Sequence, residues 1–207
     1  MIALADLLAE AVVFRVPLTV SFRGVRERNG VLLRGPAGWA EFAPFPDYSP
    51  AESSFWLDAA VEAAYLGWPP ARRGRVPVNA IVPAVGPEQA ASIAVAGAAR
   101  GCATVKVKVA ARGGTLAEDA DRVAAVRSVF GGAIRVDANG GWTPDEAVEA
   151  LAVLDRVAAG LEYVEQPCPD LAGLADVRRR TRVPVAADES IRRATDPLAA
   201  AQAGAAD

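Results

Sequence analysis

From Val76 onward the chain alternates short apolar runs with capped helical segments, and that alternation leaves few architectures open. The runs are Val78 to Val82, Thr104 to Val109, Ile134 to Asp137, Leu161 to Glu165 and Val183 to Asp188. Their starts lie 26, 30, 27 and 22 residues apart, the rhythm of βα units in a parallel sheet. Between them, Thr115 with Glu118 and Thr143-Pro144 with Glu146 form capping boxes, and Asp170 and Asp196-Pro197 serve as N-caps. Gly101, Gly131 and Gly160 are placed to close three helices. Continuous apolar strands covered on both faces suit a barrel better than an open antiparallel sheet. Such a barrel closes with about eight strands. Five units fit here, and the last helix, from Pro197 to about Ala203, runs into Gly204. The expectation is an α/β chain with an incomplete (β/α) barrel, cut short at its C-terminal end.

Residues 1–75 read differently. Val12 to Val20 and Val31 to Glu41 are rich in β-branched and aromatic residues, broken by Pro17, Gly24, Gly30 and Gly35, which predicts a small antiparallel sheet. Ser49-Pro50-Ala51-Glu52 then sets Ser at the N-cap, Pro at the first helical position and Glu two residues on, starting a helix to about Leu66. Gly67-Trp68-Pro69-Pro70 and the run Arg72-Arg73-Gly74-Arg75 read as a solvated linker. The expected organisation is an α+β capping domain over 1–75 and a partial barrel over 76–207.

Composition narrows the function. A net charge of −3 gives no basic footprint for nucleic acid or anionic lipid, and a 52% hydrophobic content excludes a disordered chain. No apolar run reaches the roughly 18 to 20 residues of a membrane span. The start, Met-Ile-Ala-Leu-Ala-Asp, lacks the basic region of a signal peptide. Cys102 and Cys168 form neither a metal-ligand pair nor a disulfide framework, so a cytoplasmic setting is expected. There is no histidine, which excludes His-dependent triads and imidazole metal sites. Of 22 basic residues only two are lysines, Lys106 and Lys108, two positions apart on one predicted strand. Arginine keeps its proton, whereas a lysine can be tuned to exchange one near neutrality.

In βα barrels reactive groups gather at the C-terminal ends of the strands. The second strand brings Lys106 and Lys108 to the same inward face. The third ends in Asp137-Ala138-Asn139, the fourth in Glu165-Gln166-Pro167 and the fifth in Asp188-Glu189-Ser190. Three carboxylates at adjacent strand ends repel unless a cation joins them, and oxygen-only donors favour Mg²⁺ over Ca²⁺ or Mn²⁺. An ammonium group beside such an ion has a lowered pKa, which suits a base. Each residue also has a plain reading: a strand-end carboxylate is commonly a helix cap, and inward lysines can simply neutralise acids. Asp137-Ala138-Asn139-Gly140 is not a calcium loop, because Gly141, Trp142 and Val148 fall where ligands or glycine belong. Gly113-Gly114-Thr115 reads as a turn with an N-cap rather than a phosphate cradle, and Cys102 as a core residue.

Taken together, Val105-Lys106-Val107-Lys108, Val136-Asp137-Ala138-Asn139-Gly140, Val164-Glu165-Gln166-Pro167 and Ala187-Asp188-Glu189-Ser190 resemble, in order, the motifs of the enolase superfamily and its Lys-x-Lys, muconate-lactonizing subgroup. The run from Gly38 to Tyr48 and the compact cap are similar to the o-succinylbenzoate synthase family within it. The resemblance implies that Asp137, Glu165 and Asp188 ligate Mg²⁺ and that Lys108 abstracts the α-proton of a small carboxylate substrate. It further implies that Lys108 returns that proton to the departing hydroxyl in a syn elimination of water, with Lys106 supporting it and Asn139 close by. The superfamily also places a lysine on the sixth strand, and this sequence holds no third lysine.

A superfamily racemase, dipeptide epimerase or cycloisomerase remains an alternative, as do an inactive fragment and a Mg²⁺-binding structural module. The sequence leaves the oligomeric state open. Val183 to Ala187 is expected to be an open, aggregation-prone edge strand. Arg23, in an expected loop from about Thr19 to Arg28, reads as surface charge, with a substrate carboxylate as the other possibility.

Overall fold

The computed structural model describes residues 3–22, 25–192 and 196–207; Arg23 lies outside the described residues. The chain divides into two compact units, 1–74 and 75–207.

The first unit begins with helix α1 (Leu4–Leu8) and continues through strands β1 (Val12–Phe22), β2 (Val25–Gly35) and β3 (Gly38–Phe42) to helix α2 (Pro50–Tyr65). The strands form an antiparallel sheet in the order β1-β2-β3. The single run expected over Val31 to Glu41 is two strands, because Gly35 and Gly38 pair across a reversal through Pro36 and Ala37. Pro17 is tolerated in β1 because that strand lies at the sheet edge, and the pairing register shifts between Pro17 and Phe22. The Ser49–Glu52 capping box is present, and α2 sets Ala60, Ala63 and Ala64 into a small core with Leu7, Leu33 and Ala40.

The second unit is a run of βα units. Strands β4 (Ala80–Val82), β5 (Thr104–Lys108), β6 (Ala133–Asp137), β7 (Tyr163–Glu165) and β8 (Val185–Ala186) form one all-parallel sheet in chain order. Between them run helices α3 (Pro87–Ala99), α4 (Leu116–Val129), α5 (Pro144–Ala158) and α6 (Leu171–Arg180). A 3₁₀ turn, Glu189–Ile191, and helix α7 (Asp196–Gln202) follow β8. The expected boxes at Thr115–Glu118 and Thr143–Glu146 both form, and Asp170 accepts a hydrogen bond from the Gly173 amide.

The outer strands are shorter than expected. Pro184 lacks an amide hydrogen and pairs only through its carbonyl, which accepts from the Val164 amide, so β8 begins at Val185; β4 begins at Ala80. Gly131 does not close α4: that helix ends at Phe130 in an extended conformation, whereas Gly101 and Gly160 do take positive φ. Gly97 has a packing reason, since a Cβ there would sit 2.5 Å from that of Ala80. Cys102 is half-buried rather than part of the core; Cys168 is the buried cysteine. Nor is the β8 edge fully open. The Asp207 amide donates to the Val185 carbonyl, the Val185 amide donates to the Asp207 carboxylate, and Arg178 holds that carboxylate from outside.

Candidate active site

Strand pleating decides what each face of this sheet can hold. In β5, Val105 and Val107 are fully buried toward the helices, and Lys106 and Lys108 alternate onto the opposite, inner face. In β6, Ile134 and Val136 turn outward while Arg135 and Asp137 share the inner face; in β7, Val164 turns outward and Glu165 inward. The parallel register aligns Lys108 with Asp137, and Asp137 with Glu165.

The side chains close into a charged cluster. Lys106 Nζ lies 2.8 Å from Glu165 Oε1 and 3.0 Å from Asp137 Oδ2. Lys108 Nζ lies 2.5 Å from Asp137 Oδ2 and donates to Asn139 Oδ1 at 2.8 Å. Asn139, with a positive φ of 48°, donates its backbone amide to Asp137 Oδ1 and its side-chain amide to Glu189 Oε1. Asp137 is only 1% exposed, so its charge depends on these partners.

The electrostatics follow from burial and pairing. Burial opposes the charge on Asp137, but the Lys108 hydrogen bond and the two ammonium charges outweigh it and hold the carboxyl below its usual range. Glu165 goes the other way. Burial pushes it up and the charges of Asp137 and Asp188 add to that, while Lys106 offsets only part. Burial pulls Lys106 down, yet the hydrogen bond to Glu165 and the charge of Asp137 hold it above its ordinary value. The nearest partners of Lys106 are these two carboxylates.

Lys106, Lys108, Asp137, Glu165 and Asn139 are thus brought together. Asp188 stands at the end of the neighbouring strand, where its amide donates to Gln166 Oε1 at 2.8 Å, and its charge reaches Glu165. Among the described residues no three acidic or cysteine side chains close into a metal cage. Sequence reasoning assigned no role to Gln166. This fully buried side chain accepts from the amides of Asp188 and Ser190 and donates to the Cys168 carbonyl and Ser190 Oγ, tying the ends of β7 and β8 together. Its only sequence signal is its place in the strand-end motif, directly after Glu165.

Residues 88–207 match the enolase C-terminal domain-like family and residues 13–64 the enolase N-terminal domain-like family. The chain belongs to the enolase superfamily. It is 56% identical over 196 residues to an o-succinylbenzoate synthase of Thermobifida fusca, an alignment covering 94% of this chain and 60% of that protein. The chain thus spans about 60% of the length of that curated relative. Among solved structures, it resembles the substrate-liganded L-Ala-D/L-Glu epimerase of Bacillus subtilis with a TM-score of 0.78 and 28% identity, over 96% of this chain and 72% of that one. An o-succinylbenzoate synthase from Thermosynechococcus elongatus with Mg in its active site shares the fold, with a TM-score of 0.67 and 23% identity over 94% of this chain and 72% of that one. No helix among the described residues is long and apolar enough to cross a membrane.

Proposed function

We propose that this chain carries the proton-transfer site of an o-succinylbenzoate synthase, which removes water from 2-succinyl-6-hydroxy-2,4-cyclohexadiene-1-carboxylate in menaquinone biosynthesis. The observation that carries the reading is the inward pair Lys106 and Lys108, the only lysines in the chain, set against strand-end carboxylates. The identity to the Thermobifida synthase supports this reaction over the others of the superfamily. Residues 1–75 would be the capping domain and residues 76–207 the barrel domain, and two free cysteines suit the cytoplasm.

Asp137, Glu165 and Asp188 fit Mg²⁺ by donor chemistry. All three offer oxygen, and the upward push of Asp137 and Asp188 on Glu165 is the repulsion a hard cation relieves. When bound, Mg²⁺ supplies positive charge to the substrate carboxylate as electron density gathers there. Lys108, as the free amine, takes the α-proton; the C–H electron pair moves into the carboxylate. The pair then returns to the ring, the carbon–oxygen bond breaks, and the Lys108 ammonium gives its proton to the leaving hydroxyl, releasing water from the same face. Lys106 stays charged, bridging Asp137 and Glu165 and adding positive potential beside the developing anion.

The likeness to the Bacillus epimerase favours a second reading, racemisation or epimerisation of an acylated amino acid or dipeptide. Mass spectrometry of the protein with Mg²⁺ and the cyclohexadiene substrate, together with polarimetry on an N-succinyl amino acid, separates the two. Dehydration by the wild type, abolished in Lys108→Ala and in Lys108→Arg, is the expected result, because arginine will not release its proton. Racemisation of an N-succinyl amino acid without dehydration establishes the second reading, and full activity in Lys108→Arg removes Lys108 as the base.

A further inference from the structure

Helix α4 carries two charged residues that the proposed chemistry does not use. Asp119 and Arg122 are 4% and 7% exposed, and they pair with each other one turn apart. Their remaining hydrogen bonds all go to backbone at the strand ends. Arg122 Nε donates to the Val85 carbonyl at 2.6 Å, and Arg122 Nη1 donates to the carbonyl of Lys108 at 3.1 Å. Asp119 Oδ2 accepts from the Ala110 amide at 2.8 Å. One ion pair therefore grips the chain on both sides of Val109, immediately where β5 delivers Lys108.

Anchoring α4 to the sheet does not require this. Val123 and Val126 of the same helix are fully buried and do that by apolar contact. A buried ion pair is weak as a stabiliser, since its desolvation penalty rivals its attraction, and well-packed apolar residues often replace one without loss. What the pair adds is direction: two charged groups with fixed hydrogen-bond geometry admit one backbone path. That path is strained, because Ala110 adopts φ of 56°, a left-handed conformation unfavourable for a residue with a Cβ. Strained backbone persists only where its surroundings over-determine it, and the Asp119 carboxylate on the Ala110 amide is such a constraint.

We propose that Asp119 and Arg122 are positioning residues that set the exit of β5 and so fix where the Lys108 amine meets the substrate. The proposal rests on Lys108 being the base.

The test uses the chain's scarcity of lysine. Selective ¹³C-lysine labelling makes only Lys106 and Lys108 visible by NMR, whether or not the protein is turning over. The variants are Asp119→Leu with Arg122→Met, which replaces the pair by apolar bulk, and Arg122→Gln alone. The expected result is that the Lys108 side-chain signals shift or split while those of Lys106 hold, in a protein that still unfolds cooperatively but at a lower temperature, because the backbone groups at Val85, Lys108 and Ala110 lose these partners. With substrate and Mg²⁺, kcat should fall about 10- to 100-fold with KM little changed, the penalty of a misplaced reacting group. If the double variant does not fold, Arg122→Gln decides by the same comparison. Lysine spectra identical to wild type, or changes that move both lysines equally, overturn the proposal. A kcat unchanged in the variants while Lys108→Ala is inactive also overturns it. Turnover that survives Lys108→Ala overturns the base assignment instead, a separate result from the same experiment.

Discussion

Strands β5 to β7 present two faces built to opposite rules. On the outer face Val105, Val107, Ile134, Val136 and Val164 are fully buried and share one core with Leu151, Leu154 and Leu174. One residue away along each strand, the inner face holds Lys106, Lys108, Asp137 and Glu165 in mutual contact. The outer face stabilises in proportion to apolar area removed from water. The inner face contributes little net stability, since each charge it pairs was first desolvated. A sheet that sets its stability on one side and its costly charges on the other has separated folding from chemistry, and the two sides should respond to substitution independently.

The sharpest way to break that separation is a pair of deletions on opposite faces. Lys108→Ala should cut turnover by at least about 10²–10⁴-fold, the usual contribution of a general acid–base group. Leu154→Ala on α5, wholly buried, should lower unfolding free energy by about 2–5 kcal/mol by leaving a cavity. Denaturant midpoints and initial rates on both variants check the claim. A Leu154→Ala protein that is folded yet as inactive as Lys108→Ala would show the faces to be coupled.

Much of this division is legible in the sequence. A two-residue period puts Lys106 and Lys108 on one face, and three Ser/Thr–Glu capping boxes mark the starts of α2, α4 and α5. What escapes is whatever depends on backbone partners far along the chain. Nothing in the sequence marks Arg122 for its guanidinium contact with the carbonyl of Val85, 37 residues away, and Gln166 is only a motif residue until it bridges to the amides after β8. The expected strand start at Val183 overreaches because apolar pattern reports side-chain faces, whereas pairing needs an amide hydrogen that Pro184 lacks.

Mg²⁺ should distinguish the faces by binding. If Asp137, Glu165 and Asp188 hold it, saturating Mg²⁺ raises the melting temperature, a stabilisation of about 2.7 kcal/mol at a hundredfold excess over Kd. Asp188→Asn should shrink that rise while leaving the metal-free melting temperature nearly unchanged. An undiminished Mg²⁺ effect in Asp188→Asn removes this residue from the ligand set.

Acid titration gives a smaller effect whose sign differs between neighbours. Asp137 lies below its ordinary value of 3.8, so its contribution is present above that pH and disappears as pH falls through the depressed value. Glu165 lies above its ordinary 4.5, so its contribution is full below that pH and is lost as pH rises through the raised value. Urea midpoints from pH 3 to 7 should therefore show Asp137→Asn losing less stability than wild type at the acid end. Glu165→Gln should gain on wild type as pH rises past 4.5. Curves parallel to wild type for both variants would contradict the pairing described here.

The smallest expected effect is the most local. Thr143 caps α5: its hydroxyl accepts from the Glu146 amide and its own amide donates to the Glu146 carboxylate. Removing the cap in Thr143→Ala should cost about 1 kcal/mol, or about 2–4 °C in a domain of this size. Thr143→Ser should recover most of it, since a hydroxyl in the same place restores the acceptor. The cap belongs to the outer layer, yet only the turn after Asn139 separates it from the Lys108 contact on the inner face. That turn is fastened separately, by the Gly140 amide to the Gln166 carbonyl and the Trp142 amide to the Pro167 carbonyl. A loosened first turn of α5 should therefore stop at those bonds, leaving kcat and the Lys108 signals of Thr143→Ala at their wild-type values. A fall in kcat beyond the loss of folded protein would mean that the helix end, and not the strand alone, holds Asn139 against the lysine.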